Sequence, residues 1–358
     1  MEDTLSNTNF SEIVNLIQKA KQKAYAQVNS TTIELYWNVG QYISTKIIKE
    51  NWGKSVVKEL AIYISKKEPN AKGFSDKNLW RMKQFYETYH KNEKLSPLVR
   101  ELTWTNNLII LSASKSDEER EFYIKLSTKE RYSKRELERQ VKSGIFERTL
   151  LSNQKVSPAV TLLPQDTKNV FKDVYSLELL GLNDSHSEKN LQNAILSNLK
   201  DFILEIGKDF CFMGQEYKVQ VGNKDFSIDL LFYHRELQCL VAFELKIDEF
   251  EPSYLGQLEF YLEALDRDVK TDDENPSIGV LLCREKDDEV VEYALSRSLS
   301  PTVISEYETK LIPKELLRQK LNEFYERLEN KDYEWSRNKS WFNRPYLSKS
   351  RLGCRSWK

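Results

Sequence analysis

The segment Cys239-Leu-Val-Ala-Phe-Glu244-Leu245 is almost wholly apolar, so it reads as a strand buried on both faces, and Lys246 follows it directly. Strand alternation puts Phe243 and Leu245 on one face and Ala242, Glu244 and Lys246 on the other. A second apolar run, Phe226 to Tyr233, carries its own lone acid, Asp229. Between Asp229 and Glu244 there is room for the rest of one strand and a short turn, so the two acids are expected side by side.

Charges buried in a sheet cost several kcal/mol each unless they are paired or bind a metal. Two readings follow. In one, Glu244 and Lys246 form a buried ion pair and Asp229 accepts bonds from turn amides. In the other, Asp229, Glu244 and the carbonyl of Leu245 hold Mg2+, with Mn2+ as a substitute, because magnesium takes few carboxylates and completes its shell with water and phosphate. Lys246 would then orient or deprotonate an attacking, metal-activated water, and the chemistry would be phosphodiester hydrolysis.

The 358 residues, 40% of them hydrophobic, suffice for two domains. No stretch approaches the roughly 18 apolar residues of a membrane span, and the start Met-Glu-Asp-Thr-Leu-Ser-Asn does not resemble a signal peptide, so a cytoplasmic protein without membrane contact is expected. Cys211, Cys239, Cys283 and Cys354 lie far apart and read as reduced thiols, not zinc ligands, with three of them in apolar surroundings. The net charge of −1 conceals an asymmetry: residues 1–150 hold 26 Lys and Arg against 19 Asp and Glu, residues 331–358 hold 8 against 2, and the middle is therefore −14. A basic half joined to an acidic half fits one part gripping a polyanion and another gathering metal, although a lysine-rich helical surface gives the same count.

The first half has helical periodicity from Ser11 to about Lys49 and from Lys54 to Lys67. A turn at Pro69 to Gly73 precedes a helix capped by Ser75, which outlines a helix-turn-helix whose outward positions Lys77, Asn78, Arg81, Lys83 and Gln84 could touch nucleic acid. Many helical hairpins of this kind bind nothing. A third helix is expected from Ser133 to near Leu150. The expected division is a helical domain over 1–150, a linker over 151–173 rich in Ser, Asn, Gln, Pro and Thr, an α/β domain over 174–330, and a basic, tryptophan-containing tail over 331–358.

The α/β domain reads as a helix from Ser187 to Ile206, a meander of three strands, a helix opened by Pro252, a short buried strand at Ser277 to Leu282, a helix near Asp288 and a strand at Thr302 to Ile304. Glu188 falls in the first turn of the leading helix, where it either answers the helix dipole or joins the site. Gln257 and Tyr261, spaced i,i+4, share a face that could lean over the carboxylates, unless Tyr261 is simply core.

This order, α-β-β-β-α-β with Ile228-Asp229 on one strand and Glu244-Leu245-Lys246 on the next, resembles the PD-(D/E)XK nuclease superfamily. The stretches Asp229 to His234, Phe243 to Lys246 and Gly256 to Leu262 are similar to the YhcG-like family of bacterial nucleases. Gly73 to Tyr86, Leu102 to Trp104 and Tyr132 to Leu137 are similar to its helical N-terminal domain. The resemblance covers about residues 10–330. It implies a restriction-endonuclease-like mixed sheet flanked by helices, Asp229 and Glu244 as metal ligands, Lys246 as the catalytic lysine, Glu188 as the acid of the first helix, and Gln257 with Tyr261 as a Q-x-x-x-Y pair. Two positions depart from the pattern. Ile228 stands in place of the superfamily proline, and Leu102 to Asn107, read as a loop, lacks the glycine and histidine expected after the tryptophan.

The expectation is thus a magnesium-dependent nuclease acting on nucleic acid, DNA in preference, with self-association left open. Its rivals are a non-cleaving nucleic-acid-binding or assembly module on a nuclease fold, linked to mobile-element or defence systems, and a transcription regulator working through the helical hairpin.

Overall fold

The computed structural model describes residues 2–163, 167, 170–183, 185–323 and 325–326. The expected tail, with Cys354 and Trp335, Trp341 and Trp357, lies outside these.

Helix α1 (Glu2–Glu50) is one continuous helix. Helices α2 (Lys54–Lys67) and α3 (Asp76–Tyr89) follow, and Ser75 caps α3 by accepting from the Asn78 amide. The main partner of α3 is α1, and the close approach requires Gly40: a Cβ there would lie 2.1 Å from the Met82 carbonyl oxygen. Buried Ile33, Ile43, Leu79, Met82 and Phe85 fill the seam around that crossing.

After the short α4 (Leu95–Leu98), the stretch read as a loop is instead α5 (Trp104–Ala113), capped by Thr103, and α6 (Asp117–Glu130) follows it. The third expected helix is two, α6 apart: α7 (Lys134–Lys142), opened by a capping box of Ser133 and Glu136, and α8 (Ile145–Leu151). They are separated by Gly144, whose φ of +64° belongs to the left-handed region and interrupts the helical ladder.

The described residues of the expected linker include a helix and contacts to the sheet. Its short helix α9 (Pro158–Thr161) follows Ser157, which is fully buried and exchanges backbone and side-chain bonds with Ser300 and Thr302, while Val156 bridges Val303. Val160 and Phe171 enter the core. Polar composition here marks hydrogen bonding to a sheet edge; a free connection would make no such bonds.

The sheet runs β1-β6-β5-β4-β3-β2: β1 (Val174–Ser176), β2 (Phe210–Val221), β3 (Lys224–His234), β4 (Cys239–Leu245), β5 (Ile278–Cys283) and β6 (Thr302–Glu308). Strands β2, β3 and β4 are antiparallel neighbours, and β4, β5, β6 and β1 are parallel. The expected helix over 187–206 breaks at Asn198 into α10 (Glu188–Ser197) and α11 (Leu199–Ile206), both packed on one face of the sheet with Phe202, Phe232 and Phe243. Helix α12 (Ser253–Asp268), which crosses from β4 to β5, and α13 (Asp288–Leu295), which crosses from β5 to β6, cover the other. The result is an α/β domain, a mixed sheet flanked by helices, preceded by an all-helical region.

Of the cysteines, Cys239 and Cys283 are buried as expected, but Cys211 is exposed because β2 is an edge strand. No helix among the described residues is long and apolar enough to cross a membrane.

Candidate active site

Strand β4 is buried along its whole length, and its faces divide as alternation requires: Phe243 and Leu245 pack with α10 and α11, and Ala242 packs with α12. Glu244 is only 2% exposed. Its Oε1 accepts from the Lys246 ammonium at 3.0 Å, whereas its buried Oε2 has no hydrogen-bond partner among the described residues. Such an orphaned acceptor costs about 1–3 kcal/mol or more. Burial raises the Glu244 carboxyl to about 7, repulsion from Asp229 adds to it, and Lys246 only partly opposes the shift.

The β3–β4 ladder runs from Leu230 with Phe243 to His234 with Cys239, so Asp229 stands one residue beyond the last paired position. There its Oδ2 accepts the Leu245 amide at 2.8 Å and its carbonyl accepts from Gln192 of α10 at 3.1 Å. Asp229 is raised too, chiefly by burial, with Glu188 and Glu216 adding and the Leu245 amide and Lys246 opposing. The two acids therefore converge, as the spacing suggested.

Lys246, just past the end of β4, is held between Glu244 and the Glu188 carboxylate, 3.5 Å away. Burial works to lower its pKa, but the surrounding carboxylates outweigh it and leave it raised, so the group stays an ammonium. Glu188 occupies the first turn of α10 behind its cap Ser187. On α12, Gln257 donates to the Tyr261 hydroxyl at 2.7 Å; Tyr261 is buried and feels the charges of Glu244, Asp229 and Lys246, while Gln257 is exposed.

Three residues of this neighbourhood escaped the sequence reading. Tyr254 lays its ring 5.4 Å from the Lys246 ammonium, one turn before Gln257, and the same i,i+3 logic would have found it. Gln192 bonds the Asp229 carbonyl, and its position one residue after the apolar stripe residue Leu191 was the available hint. Glu216 of β2 has a φ of +43° and lies between the pairs Gln215–Leu230 and Tyr217–Ile228, facing Asp229 across the ladder. No sequence signal marks it.

Among the described residues no three His, Cys, Asp or Glu side chains group as a metal cage. Two converging carboxylates, one with a buried unpartnered oxygen, suit instead a hard cation that keeps most of its own waters.

The helical hairpin is less free than expected. Asn78 is committed: its Oδ1 accepts the Trp104 indole at 2.9 Å and its Nδ2 donates to the Gly73 carbonyl. Lys83 pairs with Glu87 at 2.6 Å. Lys77, Arg81 and Gln84 are exposed.

Residues 168–322 match the family described as the YhcG PDDEXK nuclease domain, and residues 12–148 match the DUF1016 N-terminal domain. The protein named "Putative nuclease YhcG" from Escherichia coli (strain K12) is 30% identical over 348 residues, which span 86% of this chain and 92% of that one. A repair endonuclease from Pyrococcus abyssi, known from its crystal structure, aligns over 37% of this chain and half of its own, with 16% identity and a TM-score of 0.25, too low to bear on the fold. By the extent and identity of the first relative, the chain belongs to the YhcG family of PD-(D/E)XK nucleases.

Proposed function

We propose that this nuclease is metal-dependent and cuts DNA by hydrolysis at Asp229, Glu244 and Lys246. The observation that carries the reading is the unpartnered Oε2 of Glu244, buried beside a second raised carboxylate. PD-(D/E)XK nucleases generally use divalent metals. Here Asp229, Glu244 and the Leu245 carbonyl would hold Mg2+, or Mn2+ in its place; such a cation supplies an activated water and neutralises charge growing on phosphorus.

The residues themselves divide the remaining work. Lys246, kept cationic by its two carboxylates, donates to a phosphate oxygen and orients the attacking water; a raised pKa argues against its taking the proton. The Leu245 amide fixes the Asp229 carboxylate, and Gln192 holds the Asp229 backbone carbonyl. Tyr261, with Gln257 on its hydroxyl, walls the site on the α12 side. Lys77, Arg81 and Gln84 remain proposed contacts for nucleic acid outside the cutting site.

Purified protein with Mg2+ is expected to nick or cut DNA. Asp229→Ala, Glu244→Ala and Lys246→Ala are each expected to lower cleavage by at least about 100-fold with the circular dichroism spectrum unchanged, a size in keeping with loss of charge stabilisation at a transition state. Wild-type rates in any of the three would remove that residue from the assignment.

A further inference from the structure

Strands β2 and β3 do not end where the sheet does. Strand β3 pairs with β4 only from Leu230 onward, while its pairing with β2 continues out through Ile228–Tyr217, Ser227–Lys218, Phe226–Val219 and Asp225–Gln220 to Lys224–Val221. A two-stranded arm thus projects from the catalytic Asp229.

At that residue the arm also reverses its faces. Leu230 and Phe232 pack with α10 and α11, so period-two alternation would send Ile228 the same way. Instead Ile228, Val219, Tyr217 and Phe226 pack toward α12, where Phe226 meets Phe260 at 4.6 Å between ring centroids. The reversal falls at Asp229 and, across the ladder, at Glu216, the described non-glycine residue with positive φ inside a strand; Asn51, Arg131 and Gln238 occupy helix ends or a turn. Such a backbone costs on the order of 1–3 kcal/mol and persists where surrounding structure enforces it.

The consequence is a face with no apolar residue: Lys218 and Gln220 on β2, Ser227 and Asp225 on β3, all exposed and continuous with Asp229. None of the four side chains takes part in a hydrogen bond or ion pair with another described residue. A solvated face is ordinary for a hairpin. A long arm that leaves the sheet at the site's own acid, and turns its uncommitted polar face there, is not.

We propose that the β2–β3 arm lies in a groove of duplex nucleic acid and reads the substrate beside the bond to be cut. This rests on the nuclease reading of Asp229 and Glu244. A groove about 12 Å wide admits a two-stranded ribbon. The five residue-to-residue steps from Asp229 to Lys224 reach about 17 Å, which is about five base pairs at the rise of a duplex. Lys218 suits a phosphate; Gln220, Ser227 and Asp225 suit base edges, the last as an acceptor for the cytosine amino group.

The test is binding of the full chain to a labelled duplex in EDTA, where no cutting occurs, followed by anisotropy and by footprinting. The triple variant Lys218→Ala, Gln220→Ala, Ser227→Ala is expected to bind at least tenfold more weakly and to lose about five base pairs of protection, with an unchanged melting temperature. Affinity within twofold of wild type and an intact footprint would overturn the proposal, as would tighter binding of the wild-type chain to a single strand than to the duplex. A wild-type chain that cuts while the triple variant binds normally sinks the arm and spares the nuclease reading. Loss of binding in the variant, with no cutting by wild type in Mg2+, does the reverse.

Discussion

Glu244 is the residue on which opposing demands meet. Its carboxyl is raised to about 7 from 4.5, so the folded chain without metal prefers it protonated. That contribution to stability is fully present below about pH 4.5 and is lost as pH rises through 7; at one pKa unit per about 1.4 kcal/mol the loss is on the order of 3 kcal/mol. Glu244→Gln, which keeps the shape without the charge, is therefore expected to melt higher than wild type at pH 8 in EDTA, with the gap closing toward pH 4.5. Added Mg2+ should raise the melting temperature of wild type and not of the variant, since a ligand stabilises only the form that binds it. Equal melting of the two proteins at pH 8 would show that the charge is relieved some other way. Alternation along β4 made this residue legible in sequence, because an acid amid buried neighbours stands out. Glu216 was not legible: its place opposite Asp229 depends on a backbone reversal that no residue type announces.

Single elements show the same division. The caps Ser75 and Ser133 could be placed from sequence because a hydroxyl three residues before an amide has one local use. Helices α5 and α6 were missed: the apolar run Leu108 to Leu111 gives no clear stripe, and their packing is settled by distant partners such as Asn78 on the Trp104 indole. Contacts between elements also set the sharpest steric limit, at Gly40. With a Cβ only 2.1 Å from the Met82 carbonyl oxygen, α1 and α3 would have to separate. Gly40→Ala is expected to cost about 3 kcal/mol, as overpacking of a tight seam does, read as a shift in the urea midpoint. A midpoint within error of wild type would mean the seam is looser than the geometry indicates.

Across the whole molecule, buried ion clusters join the helical region to the α/β domain. Glu205 on α11, 1% exposed, faces Arg139 at 3.2 Å and Arg148 at 3.7 Å from the helical region, and Lys172 at 3.0 Å. Burial works to raise its carboxyl, and Lys172, Arg148 and Arg139 outweigh that and hold it lowered. Glu119 and Glu147 are likewise buried, against Lys314 and Arg318 from the helical stretch 314–323. Glu205→Ala removes the carboxylate shared by three cations, of which Arg139 keeps Glu178 at 3.4 Å, and is expected to cost about 3–5 kcal/mol; a loss below about 1 kcal/mol by chemical denaturation would place the join elsewhere. Charge asymmetry hinted at two parts, but these pairings were invisible to it, since a count of charges does not say which acid meets which base. The segment once read as a connector has the plainest practical bearing. Because Val156 and Ser157 close the outer border of β6, a chain divided just beyond them, near residue 160, and made as two pieces would leave the first without its ionic anchors and the second with a fraying margin, so a swap of parts between relatives should carry both halves together.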